Sequence, residues 1–173
     1  YGIDHTNSKY ITFMDSDDYL YDPYALTSLY NGIINRECDL LVSNFLYERD
    51  NESLVKEKNL IWLHGKVYRR KFLVDNNIHF NDTRANEDNG FNRLVLLNNP
   101  RVWYIDKLTY VYSDYEESIT RRNNRLFKFT GLEGYTYNMY WAMNELIKQN
   151  RNIDMVAETS VGVITAMYYY YLE

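Results

Sequence analysis

The feature that most constrains this chain is a short apolar segment that stops abruptly at a run of acids. Residues 9–14, KYITFM, have the composition of a buried β-strand, and the acidic run DSDD follows at 15–18. An Asp-Pro pair at 22–23 predicts a helix start, and apolar residues recur at helical spacing over 26–34. The pattern therefore predicts an α/β domain with carboxylates at the carboxyl end of a strand, where open α/β sheets bind ligands.

The rest of the sequence continues the alternation of strands and helices. Strands are predicted at 39–47 and at 101–112, the latter as one or two strands, and a surface loop or hairpin tip at 49–59. Helices are predicted over 68–76 and about 88–98. From Arg125 onward, apolar residues repeat near helical spacing on both sides of a polar turn, which predicts a C-terminal helical hairpin.

Composition excludes several classes of protein. The net charge of −5 argues against nonspecific binding to nucleic acid, which depends on Lys and Arg neutralising phosphates. Cys38 is the single cysteine, so neither an intrachain disulfide nor a cysteine-based zinc cluster can form. The sequence has no apolar run of membrane-spanning length and no signal peptide at its start, so we expect a cytoplasmic protein.

The acidic run predicts a divalent metal site. Asp15 and Asp17 lie two residues apart at a strand-to-turn transition, where two carboxylates can converge on Mn²⁺ or Mg²⁺. An EF-hand is excluded, because Leu20 and Leu26 occupy the positions that need Gly and Glu. A dehalogenase-like phosphatase remains an alternative, although Tyr19 departs from its pattern. The three histidines are not spaced as a cluster, so no zinc site is expected.

Four sequence blocks carry a resemblance to a known family. KYITFMDSDDYLYDPYALTSLY resembles the central D-x-D block of inverting family-two glycosyltransferases with a GT-A fold. WLHGKVYRRKFL resembles that family's W-x-K-L-Y-R block, and NEDNGF its E-D-x-x-F block. YVYSDYEESIT is similar to its late aromatic strand and the Ser that follows. Two departures are His64, where Asn, Gly or Ser is commoner, and Ser113, where a basic residue is usual.

The resemblance implies an α/β fold with a GT-A-like (Rossmann-like) nucleotide-sugar transferase core. Residues 1–120 would form a partial catalytic core and residues 121–173 a C-terminal helical extension. The family's nucleotide-binding half precedes its D-x-D, whereas only residues 1–14 do so here. We therefore expect a core truncated at its N-terminus and inactive by itself, with an exposed strand edge that could pair in a homodimer.

The resemblance also implies roles for individual residues. Asp15 and Asp17 would bind Mn²⁺ or Mg²⁺, and Asp88 would be the catalytic base that deprotonates the acceptor hydroxyl. A further set would contact the substrates. These residues are Ser16, Asp18, His64, Gly65, Lys66, Glu87 and Ser118.

The implied activity is transfer of a sugar, with inversion, from a nucleotide-diphosphate sugar to an acceptor hydroxyl. The expected context is bacterial surface or capsular polysaccharide synthesis. The acceptor would be a saccharide or a lipid-linked saccharide, so peripheral association with the inner face of the membrane is compatible with this activity. Two alternatives remain open at this point: a dehalogenase-like phosphatase, and a non-catalytic fragment that binds a sugar or a partner.

Overall fold

The computed structural model describes residues 2–49, 52–82, 87–114 and residue 148. Over these residues the predicted mixed α/β architecture is confirmed. The predicted C-terminal hairpin, the proposed domain boundary at 120/121 and Ser118 lie outside the described residues. No helix within the described ranges is both long enough and apolar enough to cross a membrane.

Strands and helices follow one another along the described chain. The helices are α1 Gly2–His5, α2 Ala25–Arg36, α3 Arg70–Asp75 and α4 Glu87–Leu97. The strands are β1 Tyr10–Ile11, β2 Tyr19–Leu20, β3 Leu40–Arg49, β4 Glu52–Lys56, β5 Lys66–Arg69 and β6 Val102–Ser113.

The six strands form one mixed sheet in the order β1-β5-β3-β6-β2, with β4 added to β3. β3 runs parallel to β6 and antiparallel to both β4 and β5. The two-residue strands β1 and β2 pair antiparallel with β5 and β6 respectively. The acidic turn that connects β1 to β2 therefore crosses from one end of the strand order to the other.

Helices cover both faces of this sheet, as the alternation of buried side chains requires. Leu41 and Val67 pack against α2 in a cluster on one face. Leu40 and Tyr68 point the other way and pack with apolar residues of α3 and α4. Adjacent residues of β3 and β5 thus belong to opposite clusters. A shift of the strand pairing by one residue would move each of these side chains to the other face of the sheet.

Strand β4 occupies much of the surface loop or hairpin tip expected over 49–59, because these residues pair with β3. Three further details of the predicted secondary structure are wrong. The strand expected over 9–14 is limited to Tyr10–Ile11, although Thr12 continues the approach to β5 by donating its hydroxyl to the Lys66 carbonyl oxygen at 2.7 Å. The helix expected over 68–76 begins only at Arg70, because the preceding residues pair with β3 as strand β5. This tertiary pairing overrides local helical preference.

The third error concerns the start of α2. Asp22 was expected to cap the helix directly, but the N-cap position belongs to Tyr24, which has no side-chain cap. Asp22 instead accepts a hydrogen bond from the Tyr24 backbone N–H at 2.8 Å, in an Asx turn one step before the helix. The predictions for β3, α4 and the single strand β6 are correct to within a few residues.

Gly65 sets the backbone path between the Trp62 segment and β5. Its φ is +64°, and a Cβ at this position would lie 2.6 Å from the Ser43 Oγ. The Gly65 carbonyl oxygen accepts hydrogen bonds from both the backbone N–H and the hydroxyl of Ser43, at 2.9 and 2.8 Å. A side chain would therefore meet both a strained dihedral and a close contact at one position.

We predict that Gly65→Ala lowers the free energy of unfolding by on the order of 1–3 kcal/mol. The reason is that alanine disfavours positive φ and its methyl group would displace Ser43. Chemical denaturation monitored by circular dichroism measures the change. Gly2→Ala is the matched control, because a Cβ there meets no atom within 4 Å. Equal stability of the two variants would contradict the assigned role of Gly65.

Candidate functional site

Asp18 is the residue of the acidic turn whose side chain is held by hydrogen bonds to another strand. Its side chain is fully buried. One carboxylate oxygen accepts a hydrogen bond from the Tyr110 hydroxyl at 2.5 Å, and the other accepts the Ser113 backbone N–H at 2.9 Å. Both donors belong to β6, more than ninety residues along the chain. These charge-assisted bonds tie the acidic turn to the end of β6.

The other two acids of the turn are more exposed than Asp18. The Asp15 backbone N–H donates to the Tyr110 hydroxyl at 3.1 Å, so one tyrosine holds both ends of the turn. Burial, with the nearby Asp17 and Glu87 carboxylates, raises the pKa of Asp15. Asp17 is exposed on the turn. The acids thus face a common region in which like charges are already crowded.

His64 reaches the same place from the segment before β5. Its ring stacks on Tyr112 with centroids 4.7 Å apart and planes 14° apart. Its Nδ1 lies 3.7 Å from the Asp18 Oδ2. Burial, reinforced by Lys66, lowers the pKa of His64 to about 3. The imidazole is therefore neutral at physiological pH, and its contact with Asp18 is not an ion pair.

Asp15, Asp18 and His64 together fit a divalent cation. One potential ligand atom from each lies within 4.8 Å of the others. Carboxylate oxygens and a neutral imidazole nitrogen form a donor set that Mn²⁺ and other divalent ions accept. Asp17, a ligand predicted from sequence, is not one of these three and stands at the exposed side of the same turn.

Asp88 lies in the first turn of α4, which is held in place by a buried amide. The Asn92 side-chain N–H₂ donates to the carbonyl oxygens of Ile61 and Asp88, at 2.7 and 3.1 Å. Its carbonyl oxygen accepts the Tyr68 hydroxyl at 2.6 Å. This helix turn is thereby fixed against both β5 and the segment before it.

Lys66 is the buried cation beside Asp88. The side chain has no solvent exposure, and its ammonium donates to the Trp62 carbonyl oxygen. Burial lowers the pKa of Lys66 to about 7, partly opposed by Asp88. Burial raises the pKa of Asp88 to about 6, with Glu87 and Asp15 adding to the rise and Lys66 opposing it. A carboxylate with a pKa this near neutrality is suited to general-base catalysis.

The structure thus brings most of the predicted residues to one region. Asp15, Asp18 and His64 form one cluster, and electrostatic interactions join Asp15 to Asp88 and Asp88 to Lys66. Sequence reasoning missed Tyr110, which binds both Asp15 and Asp18. The available signal was the alternation of tyrosines on β6, which places Tyr110 and Tyr112 on one face.

We predict that the free energy of unfolding of the wild-type protein increases as pH rises from 7 to 9, because of the lowered pKa of Lys66. The folded pKa of about 7 lies below the unfolded value of 10.5, so the unfolded chain binds more protons in this range. The free energy of unfolding should rise by on the order of 1 kcal/mol per pH unit. Urea denaturation at several pH values measures this slope.

Lys66→Met should flatten that slope, because it removes the titrating group. The control is Lys71→Met, which removes an exposed lysine paired only with the exposed Asp75 and should preserve the slope. A slope that persists in Lys66→Met would contradict the conclusion that burial discharges this lysine.

Comparison with known proteins supports the resemblance to family-two glycosyltransferases. The model of the family described as Glycosyl transferase family 2 matches residues 1–85. A curated relative, glycosyltransferase GlyA of Streptococcus pneumoniae serotype 4, is 25% identical over 195 residues, an alignment covering 96% of this chain and 26% of GlyA. The matched family and GlyA are both described as glycosyltransferases, which favours that class over the dehalogenase-like phosphatase.

The fold is similar to that of S. aureus TarS. S. aureus TarS 1–349 in complex with UDP-GlcNAc matches with a TM-score of 0.67 and 16% identity, over 97% of this chain and 51% of that chain. TarS 1–349 in complex with UDP matches with a TM-score of 0.62 and 16% identity, over 94% of this chain and 48% of that chain. At this identity the likeness establishes the fold.

The chain spans about half the length of these TarS structures and about a quarter of GlyA. Within that span, the D-x-D turn lies inside the residues that the family model matches. The resemblance to family-two glycosyltransferases is thus confirmed by the match of residues 1–85 to the model of glycosyl transferase family 2.

Proposed function

We propose that this chain supplies the metal- and acceptor-binding part of an inverting glycosyltransferase that uses a nucleotide-diphosphate sugar. The observation that carries the proposal is the convergence of the acidic turn with Asp88 and Lys66. Asp15 and Asp88 interact electrostatically although they come from β1–β2 and from α4. Family membership supports glycosyl transfer as the chemistry.

Asp88 is the proposed catalytic base. It would take the proton from the acceptor hydroxyl as that oxygen attacks the anomeric carbon and the nucleoside diphosphate leaves from the opposite side. Lys66 keeps the carboxylate more acidic than burial alone would, so the base is ionised at neutral pH. Glu87, the exposed residue that precedes Asp88 in α4, would orient the acceptor.

A divalent cation is the proposed cofactor. Asp15 and Asp17 would hold Mn²⁺ or Mg²⁺, with Asp18 fixing the turn from beneath. The ion would supply Lewis-acid stabilisation of the leaving diphosphate. The turn that carries these carboxylates is held in place by the Asp15 backbone N–H and the Asp18 carboxylate, which bind Tyr110 and the Ser113 backbone N–H.

The proposed donor is a nucleotide-diphosphate sugar, in keeping with the UDP-GlcNAc and UDP in the TarS complexes. The proposed acceptor is a saccharide or lipid-linked saccharide of a bacterial surface polysaccharide. A screen of nucleotide-sugars with the full-length natural protein, read by product mass and by the anomeric configuration of the product, tests donor class and inversion together. Release of inorganic phosphate from simple phosphate esters, without sugar transfer, would contradict the proposal.

We predict that Asp88→Asn in the full-length protein lowers kcat by about 10²–10⁴-fold and changes donor affinity little. The amide keeps the size of the side chain but cannot accept the proton. Steady-state kinetics and donor calorimetry measure the two effects. Wild-type kcat/KM should also fall as pH decreases through about 6, where Asp88 becomes protonated.

Asp75→Asn is the matched control for this prediction. Asp75 is an exposed helical acid paired with Lys71, so the same change of charge should leave kcat intact. A parallel fall of donor affinity and kcat in Asp88→Asn would assign Asp88 to binding rather than to proton transfer.

We predict that Asp17→Asn abolishes Mn²⁺- or Mg²⁺-dependent transfer, because removing one charge weakens neutralisation of the diphosphate. Product formation across a metal titration measures this. Asp4→Asn, which removes an exposed acid of α1, is the control. Wild-type turnover by Asp17→Asn at saturating metal would exclude Asp17 as a ligand.

A further inference from the structure

His64 carries a buried nitrogen whose role the proposed transfer does not yet explain. The residue is 6% exposed. Among the residues that the structure describes, none forms a hydrogen bond with its Nδ1. A buried polar atom without a partner costs on the order of 1–3 kcal/mol, so native proteins seldom keep one without a function or a ligand.

The surroundings of His64 fix the direction of this nitrogen. The ring is stacked on Tyr112 and packs edge-on against Phe45, with centroids 5.0 Å apart. The centroid of the Tyr110 ring lies 4.9 Å from that of His64. Held in this aromatic enclosure, Nδ1 points at the carboxylate side of the acidic turn, 3.7 Å from the Asp18 Oδ2.

Asp18 forms no hydrogen bond with the histidine; its two oxygens accept other hydrogen bonds, and each keeps a lone pair that could bind an ion. Tyr110 and the Ser113 backbone N–H are their donors, at 2.5 and 2.9 Å. The contact of 3.7 Å is too long for a hydrogen bond and leaves room for an ion between the two side chains. Asp15 completes a group of three ligand atoms within 4.8 Å of one another.

We propose that the His64 Nδ1 is a direct ligand of the divalent cation, together with carboxylate oxygens of Asp15 and Asp18. The proposal rests on the metal dependence proposed above and adds a nitrogen ligand to it. Asp17 would remain a further carboxylate ligand, on the exposed side of the turn. The histidine tautomer required has its proton on Nε2, which leaves a lone pair on Nδ1.

A nitrogen ligand makes the site selective. Mg²⁺ binds oxygen ligands almost exclusively and retains several waters, whereas Mn²⁺ accepts imidazole more readily. The site should therefore prefer Mn²⁺ to Mg²⁺, and the preference should depend on His64. A site built only from Asp15 and Asp17 would discriminate less, because both ions accept carboxylates.

Electron spin echo envelope modulation of Mn²⁺ bound to the full chain tests the ligand directly. We expect modulation from a directly coordinated ¹⁴N in the wild type. We expect its loss in His64→Gln. The matched control is His79→Gln, which changes an exposed histidine whose Nδ1 lies 3.0 Å from the Asn77 carbonyl oxygen. It should retain the modulation.

Metal affinity provides the second measurement. Loss of the free Mn²⁺ signal on titration gives the dissociation constant, and competition with Mg²⁺ gives the selectivity. Because changes even to outer-shell partners typically cost about 10–100-fold, His64→Gln should weaken Mn²⁺ binding at least about tenfold. Mg²⁺ binding should change much less. Circular dichroism verifies that the variant is folded. The ¹⁴N modulation of the wild-type protein tests the proposal even if the variant does not fold.

The outcomes separate this inference from the function on which it rests. Mn²⁺ bound without ¹⁴N modulation would overturn the role of His64 and leave a carboxylate metal site standing. Equal effects of His64→Gln on both ions would also overturn it. If the chain binds neither ion, the proposed nitrogen ligand is wrong. Sugar transfer by the full-length protein without metal would then show that glycosyl transfer does not need a divalent cation.

Discussion

The arrangement of the site depends on one interaction, the capture of the Asp18 carboxylate by β6. Tyr110 and the Ser113 backbone N–H hold its two oxygens, and the Tyr110 hydroxyl also accepts the Asp15 N–H. Without these bonds the turn would be an exposed acidic loop between two strands of two residues each. With them, repelling carboxylates are held at one place, and burial raises the pKa of Asp18 to about 6. Such crowding of charge favours a cation.

A second group of buried polar residues connects this turn to α4. Lys66 lies at the start of β5, Thr12 donates to its carbonyl oxygen, and Asn92 fixes the helix turn that carries Asp88. The sheet therefore does more than supply a core. It places Asp88 beside the desolvated Lys66, so that each modifies the pKa of the other, and brings Asp15 close enough to raise the pKa of Asp88.

Much of this was predictable from the sequence, and the errors have physical causes. The acidic stop after KYITFM predicted the turn, and the first-turn acids at 87–88 predicted α4. Residues 68–69 were assigned to a helix because their local pattern resembles one, but pairing with β3 makes them a strand. The alternation of tyrosines on β6 places Tyr110 on one face with Tyr112, but it does not reveal the role of Tyr110, which comes from a partner 92 residues away.

The sequence by itself determined the fold class, the family resemblance and the chemical types present: paired carboxylates, a lysine and a late acid in a fixed order. The fold class and the chemical types follow from the kinds of residues and their spacing, and the resemblance follows from four sequence motifs. Tertiary structure alone decided which of these groups share an environment. It buried Asp18 and Lys66, left Asp17 exposed, and brought His64 to the acidic turn although spacing had suggested no histidine site. Burial and proximity are properties of long-range packing, so no local pattern encodes them.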